Sequence, residues 1–225
     1  DIAIGTARLF GFELMRNFRF PYLARDIAEF WHRWHISLST WFRDYVFIPL
    51  GGSRVGTARR IVNVLITFTV SGLWHGANWT FVIWGALNGL YYLPSMLLGR
   101  AGQQKDVAEG RVLPRPGEAL AMLATFAATL VAWVFFRAPS LGDALAYLGG
   151  MVSRAGQPAA LDPYLPMLLV CAALWVVEYV QRDRQYALQI HSWSLPLRWL
   201  TYATATLLFL VFGNFGTNEF IYFQF

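Results

Sequence analysis

From Ile61 to Leu98 the chain carries no Asp, Glu, Lys or Arg. One helical crossing of about 30 Å of hydrocarbon takes roughly 20 apolar residues, so this tract is long enough for two. Inside a bilayer the backbone must satisfy its own hydrogen bonds, which leaves helices or closed barrels. The apolar residues run in continuous blocks without strict alternation, which rules against a barrel. One side chain in the tract titrates near neutrality, His75, within Ser71-Gly72-Leu73-Trp74-His75-Gly76-Ala77-Asn78-Trp79. An ionisable group at that depth is a functional-site candidate by default.

The rest of the chain extends this reading. It has 225 residues, 56% hydrophobic and 14% charged, with mean hydropathy +0.42. The expectation is an all-α, polytopic transmembrane bundle forming one membrane-embedded domain over residues 1–225, set in the lipid bilayer. Crossings are expected within 61–98, with a break at His75-Gly76-Ala77, and at 118–136, 161–179 and 197–215. Residues 20–60 interleave Trp31, Trp34, Trp41, Phe42, Tyr45 and Phe47 with Arg25, Asp26, Glu29, Arg33, Arg43 and Asp44. That is too polar for a lipid-facing span and too aromatic for a solvated loop, and it reads as interfacial or re-entrant helices.

The net charge of +5 comes from basic residues spread among loops instead of one stripe, so topology accounts for them and nucleic acid is not expected as a partner. Arg54, Arg59 and Arg60 precede the first crossing, and Arg100, Lys105, Arg111 and Arg115 follow the second. The His75 break and the segment 216–225 have no Lys or Arg. By the positive-inside rule the loops 51–60 and 99–117 are cytoplasmic, and the C-terminus lies on the outer side. The single cysteine, Cys171, can build neither a disulfide framework nor a thiolate metal cluster.

A neutral imidazole in low dielectric can take a proton from a hydroxyl and return it to a leaving group, as acyl transfer to an alcohol requires. Gly72 and Gly76 remove bulk around His75, and Asn78, three residues on, could orient the ring or donate to an oxyanion. The plainer alternative is a histidine bonding a helix carbonyl. His35, in Trp31-His32-Arg33-Trp34-His35-Ile36-Ser37-Leu38-Ser39-Thr40-Trp41, is either a second functional histidine or a polar tip at the headgroups. His32 and His35 lie three apart, but no compact ligand set completes a zinc site and no metal is expected. Arg43 beside Asp44 either fixes a turn or, with Arg54, Arg59 and Arg60, attracts an acidic donor. The aromatic tail 219–225, which contains Tyr222, is either an interfacial anchor or a docked segment.

The motifs Phe30-Trp31-His32-Arg33-Trp34-His35 through Tyr45, Ile48-Pro49-Leu50-Gly51-Gly52 and Gly72-Leu73-Trp74-His75-Gly76-Ala77-Asn78-Trp79 closely resemble those of the membrane-bound O-acyltransferase family. Trp133-Val134-Phe135-Phe136-Arg137-Ala138 also fits. The branch looks like that of alginate O-acetylation and teichoic-acid D-alanyl transfer proteins. The resemblance implies a central tunnel through the bundle, a catalytic His75 and a second motif histidine at His35; Asn78, Arg43 and Trp74 are candidates for positioning donor or acceptor. It implies the C-terminal half of a longer bacterial inner-membrane protein. That protein would move an acyl group, most simply acetyl, from cytoplasmic acetyl-CoA or an acyl carrier protein to a secreted or cell-surface polysaccharide. Tyr222 becomes a candidate acyl relay, a periplasmic acyltransferase or other polysaccharide-modification protein a candidate partner, and no bound cofactor is expected. A histidine-gated transporter or channel, or a non-catalytic scaffold, remains the alternative.

Overall fold

The computed structural model describes residues 2–101, 107–154, 162–184 and 189–213. Among the described residues the regular structure is helical throughout. A short α1 (Ile2–Leu9) is followed by two helices of the aromatic region, α2 (Ile27–Arg33) and α3 (Ile36–Phe42). Asp26 caps α2 by accepting the Glu29 N–H at 2.8 Å. Without a break, α3 passes into a wider π turn over Arg43–Phe47, where the Ile48 N–H reaches back to the Arg43 carbonyl at 2.9 Å.

The turn Pro49-Leu50-Gly51-Gly52 then reverses the chain. Gly51 and Gly52 have φ of 109° and 56°, which a side chain disfavours. The turn is pinned by Asn63, a fully buried residue whose Nδ2 donates to the Gly52 carbonyl at 3.3 Å.

The charge-free tract forms an antiparallel hairpin of α4 (Thr57–His75) and α5 (Trp79–Leu97). Glycines bring the two helices together: a Cβ on Gly72 would run into the Phe81 carbonyl, and one on Gly85 into the Phe68 carbonyl. Small residues at such crossings let helices approach where no hydrophobic force drives them together. Gly72→Ala and Gly85→Ala should each cost about 1–3 kcal/mol by overpacking. Gly149→Ala, whose Cβ would meet open space inside a helix, should cost nothing. Thermal unfolding in detergent separates the two classes, and equal midpoints for Gly85→Ala and Gly149→Ala would refute the crossing.

Beyond the hairpin come α6 (Pro116–Arg137), α7 (Leu141–Ser153), α8 (Leu165–Val180) and α9 (Leu195–Phe212). Helices α6 and α9 are long and apolar enough to cross a membrane, and α8 is a shorter apolar helix. Within the described residues the segments 118–136, 161–179 and 197–215 overlap α6, α8 and α9. Helix α7 lies between the expected crossings 118–136 and 161–179, and Ser140 caps it by accepting the Asp143 N–H at 3.2 Å. No residue of α8 or α9 is buried, leaving both apolar surfaces to lipid or to further protein.

Inter-loop bonds group the helix ends into two sets. The α4–α5 turn is tied to the end of α6, Asn78 Nδ2 donating to the Pro139 carbonyl at 3.2 Å. At the other set, Arg182 donates to the carbonyls of Val107 and Arg111 at 2.9 and 2.7 Å, and the Tyr179 hydroxyl to that of Val112 at 2.7 Å. The loops around 107–115 and 182 therefore meet, at the end of α6 opposite the one tied to the His75 turn.

The core is aromatic. Phe30 stacks on Trp34 at 5.6 Å, and Trp34 meets Trp133 at 5.3 Å. A partly buried charge network runs beside it, with Glu29 bridging Arg25 and Arg33 at 3.0 and 2.7 Å while Arg25 and Arg111 both reach Glu118. The charges that make residues 20–60 too polar for a lipid-facing span are thus turned partly inward, where they neutralise one another.

Candidate functional site

His75 is the last residue of α4, released by Gly76 into the turn. Its half-buried ring is enclosed edge-to-face by Trp74 at 5.0 Å, Trp84 at 5.3 Å and Phe136 at 5.1 Å, with Phe81 further off at 6.4 Å. Rings from three helices therefore set the imidazole's orientation, and among the described residues none of its nitrogens is committed to a hydrogen bond. That geometry fits a group kept available for a substrate hydroxyl better than one bonding a helix carbonyl.

His35 joins α2 to α3. Its φ of 48° puts a non-glycine residue in the left-handed region, at a cost of roughly 1–2 kcal/mol. Its Nδ1 is buried and makes no hydrogen bond. The ring lies 6.0 Å from Phe18. Burial pushes this imidazole, which stands outside the long helices, below the ordinary histidine pKa and favours its neutral form. The two histidines, forty residues apart in sequence, flank one cavity: Ile36, next to His35, and Ser71, one turn before His75, both line it.

Next to this pair, between α2–α3 and the α4–α5 hairpin, is a cavity of about 370 Å³. Trp31, Phe42 and Phe68 supply much of its apolar wall, and His32, Ser39, Arg43 and Ser71 its polar groups. Arg43 also pairs with Asp44, Nε to Oδ1 at 2.7 Å, at the start of the π turn.

The remaining candidates fall unevenly. Trp74 is half exposed and forms part of the His75 cage. Asn78 is committed elsewhere, its Oδ1 accepting the Thr80 N–H at 3.1 Å as the α5 cap and its Nδ2 bound to Pro139. Tyr222 lies outside the described residues. Trp84 and Asn88 escape sequence reasoning, and Phe136 enters it only as part of the motif from Trp133 to Ala138. For Asn88 a signal exists: it is a lone amide on α5, four residues after Trp84.

Among the described residues the fold is helical throughout, with two helices long and apolar enough to cross a membrane. Residues 1–134 match the model of MBOAT, the membrane-bound O-acyltransferase family, and the chain belongs to that family. It is 36% identical to the probable alginate O-acetylase AlgI of Pseudomonas putida, over all of this chain and 49% of that protein. It is 42% identical to the peptidoglycan O-acetyltransferase of Helicobacter pylori, over 69% of this chain and 28% of the relative. It is 32% identical to the teichoic acid D-alanyltransferase of Streptococcus thermophilus, over 60% and 35%. The chain spans about half or less of the length of these relatives.

Proposed function

We propose that this chain carries the histidine site of a membrane O-acyltransferase. The enzyme moves an acyl group, acetyl in the simplest case, from a cytoplasmic thioester donor to hydroxyls of a secreted or cell-surface polysaccharide. The observation that carries this is the uncommitted His75 imidazole, held by aromatic edges beside His35 and next to a cavity large enough for a donor's acyl end. The imidazole takes the proton of the attacking hydroxyl as its oxygen bonds the thioester carbonyl carbon. When the C–S bond breaks, the imidazolium returns that proton to the departing sulfur. Family membership supports the acyl chemistry, and the relatives named for alginate, peptidoglycan and teichoic acid support a polysaccharide acceptor.

Acetyl-CoA and an acyl carrier protein both fit as donor, with Arg43 and the loop basic residues Arg54, Arg59 and Arg60 drawing their acidic groups to the cytoplasmic face. Re-entrant packing of residues 20–60 around a tunnel would connect that face with His75. Delivery outside is either direct or through a relay, for which Tyr222 is the first candidate, and a periplasmic acyltransferase is the fitting partner. The full-length protein in sealed vesicles, given radiolabelled acetyl-CoA or acetylated carrier outside, should deposit alkali-labile label on polysaccharide inside. Proton flux with no acyl transfer from either donor would instead establish a histidine-gated transporter. Undiminished transfer by Tyr222→Phe would eliminate the relay.

A further inference from the structure

The cavity and the His75 cage adjoin, yet they are separate spaces. Ser71, one turn before His75 on α4, lines the cavity, whereas His75 stands outside its lining. Trp31 is placed between them. It lines the cavity, packs edge-to-face on Trp84 at 5.8 Å, and Trp84 in turn packs on His75 at 5.3 Å.

The Trp31 indole is also held by its polar edge. Its N–H donates to Asn88 Oδ1 at 3.2 Å, and Asn88 Nδ2 donates to the Trp84 carbonyl at 2.8 Å. Asn88 is 2% exposed, well inside the charge-free tract and remote from any helix cap or turn. Burying an amide there is unfavourable unless its polar atoms are used. Both are used, and what they fix is the orientation of Trp31 relative to Trp84. Trp31 meets Phe68 as well, at 5.6 Å on the cavity side, so little rotational freedom remains.

We propose that Trp31 is the wall between the cavity and His75 that limits the size of acyl group able to reach the imidazole, and that Asn88 is the positioning residue holding this wall in place. The proposal rests on the acyl-transfer reading above. A rigid apolar wall discriminates by size; one added methylene is worth about 10- to 200-fold in a well-formed hydrophobic site. A wall free to swing does not discriminate.

The test uses the full-length protein in vesicles with acetyl and butyryl thioesters, presented both on CoA and on an acyl carrier protein. Trp31→Phe keeps an aromatic ring but shortens the wall and deletes the N–H, and Asn88→Leu keeps bulk but deletes the amide. In each variant the butyryl-to-acetyl ratio of kcat/KM should rise at least about tenfold. The Trp31→Phe/Asn88→Leu pair should rise no further than Trp31→Phe, because phenylalanine has nothing for Asn88 to hold. This ratio does not depend on how much of the protein is folded, so a purely structural role lowers both rates together and leaves it unchanged. An unchanged ratio in both variants overturns the wall, and a change in Trp31→Phe alone overturns the role of Asn88. No transfer by the wild type from either donor overturns the functional reading itself.

Discussion

His75→Ala should lower acyl transfer by about 10²–10⁴-fold, the range spanned by a positioned general acid–base group. In free energy that is roughly 3–5 kcal/mol of lost transition-state stabilisation. Stability should fall by less, about 1–3 kcal/mol for the lost edge-to-face contacts, because among the described residues the imidazole makes no hydrogen bond and stands at a helix end. His75→Gln, which keeps bulk and polarity but cannot cycle a proton near neutrality, should be as inactive as the alanine variant. The measurement pairs initial rates of label transfer with the unfolding midpoint of the same preparation. Transfer within threefold of wild type in a normally folded His75→Ala protein would remove the histidine from the chemistry.

His35 should behave differently, since its backbone and its ring do separate things. His35→Gly relieves a left-handed residue and should leave stability unchanged or raise it, while removing the imidazole beside His75. A glycine variant that is both stable and slow in transfer would assign His35 to function, whereas one that is stable and fully active would reduce it to a strained link between α2 and α3.

What the sequence made legible follows from which forces are local. The length and neutrality of residues 61–98 imply a hairpin because hydrocarbon thickness acts on any segment in the same way, and α4 and α5 turn where His75-Gly76-Ala77 breaks the tract. His75 was legible because an ionisable side chain among apolar ones has few ordinary explanations. Its cage was not, since Trp84 and Phe136 reach it only through the crossing of α5 and α6, and aromatic residues elsewhere in the chain look the same. Asn78 shows the converse: spacing along a helix makes it a partner for His75, but the helix ends between them, and its amide caps the next one. Likewise the Arg43-Asp44 motif leaves a turn-fixing ion pair and a donor-attracting arginine as rivals, because both need only an exposed guanidinium; the structure shows the pair.

Glu29→Gln should be the most destabilising conservative change in the aromatic region. The Glu29 carboxylate is 7% exposed and accepts from the Arg25 backbone N–H at 2.9 Å, from the Arg25 guanidinium at 3.0 Å and from Arg33 Nη2 at 2.7 Å. Glutamine keeps the shape but removes the charge and turns a donor toward donors. Arg25 still has Glu118 at 3.3 Å, whereas Arg33, 6% exposed, is left with the Arg19 carbonyl at 3.5 Å. An uncompensated buried charge of this kind costs about 3–5 kcal/mol. The loss should reach function as well, because α2 carries Trp31 and leads into His35. If charge is the cause, removing the orphaned partner should help: Glu29→Gln/Arg33→Met should recover at least about half of the lost stability, since replacing both members of a buried pair by groups of similar size is often neutral. A double variant no more stable than Glu29→Gln in thermal unfolding would show that the glutamate acts through the helix cap and local packing, with the Arg33 charge immaterial.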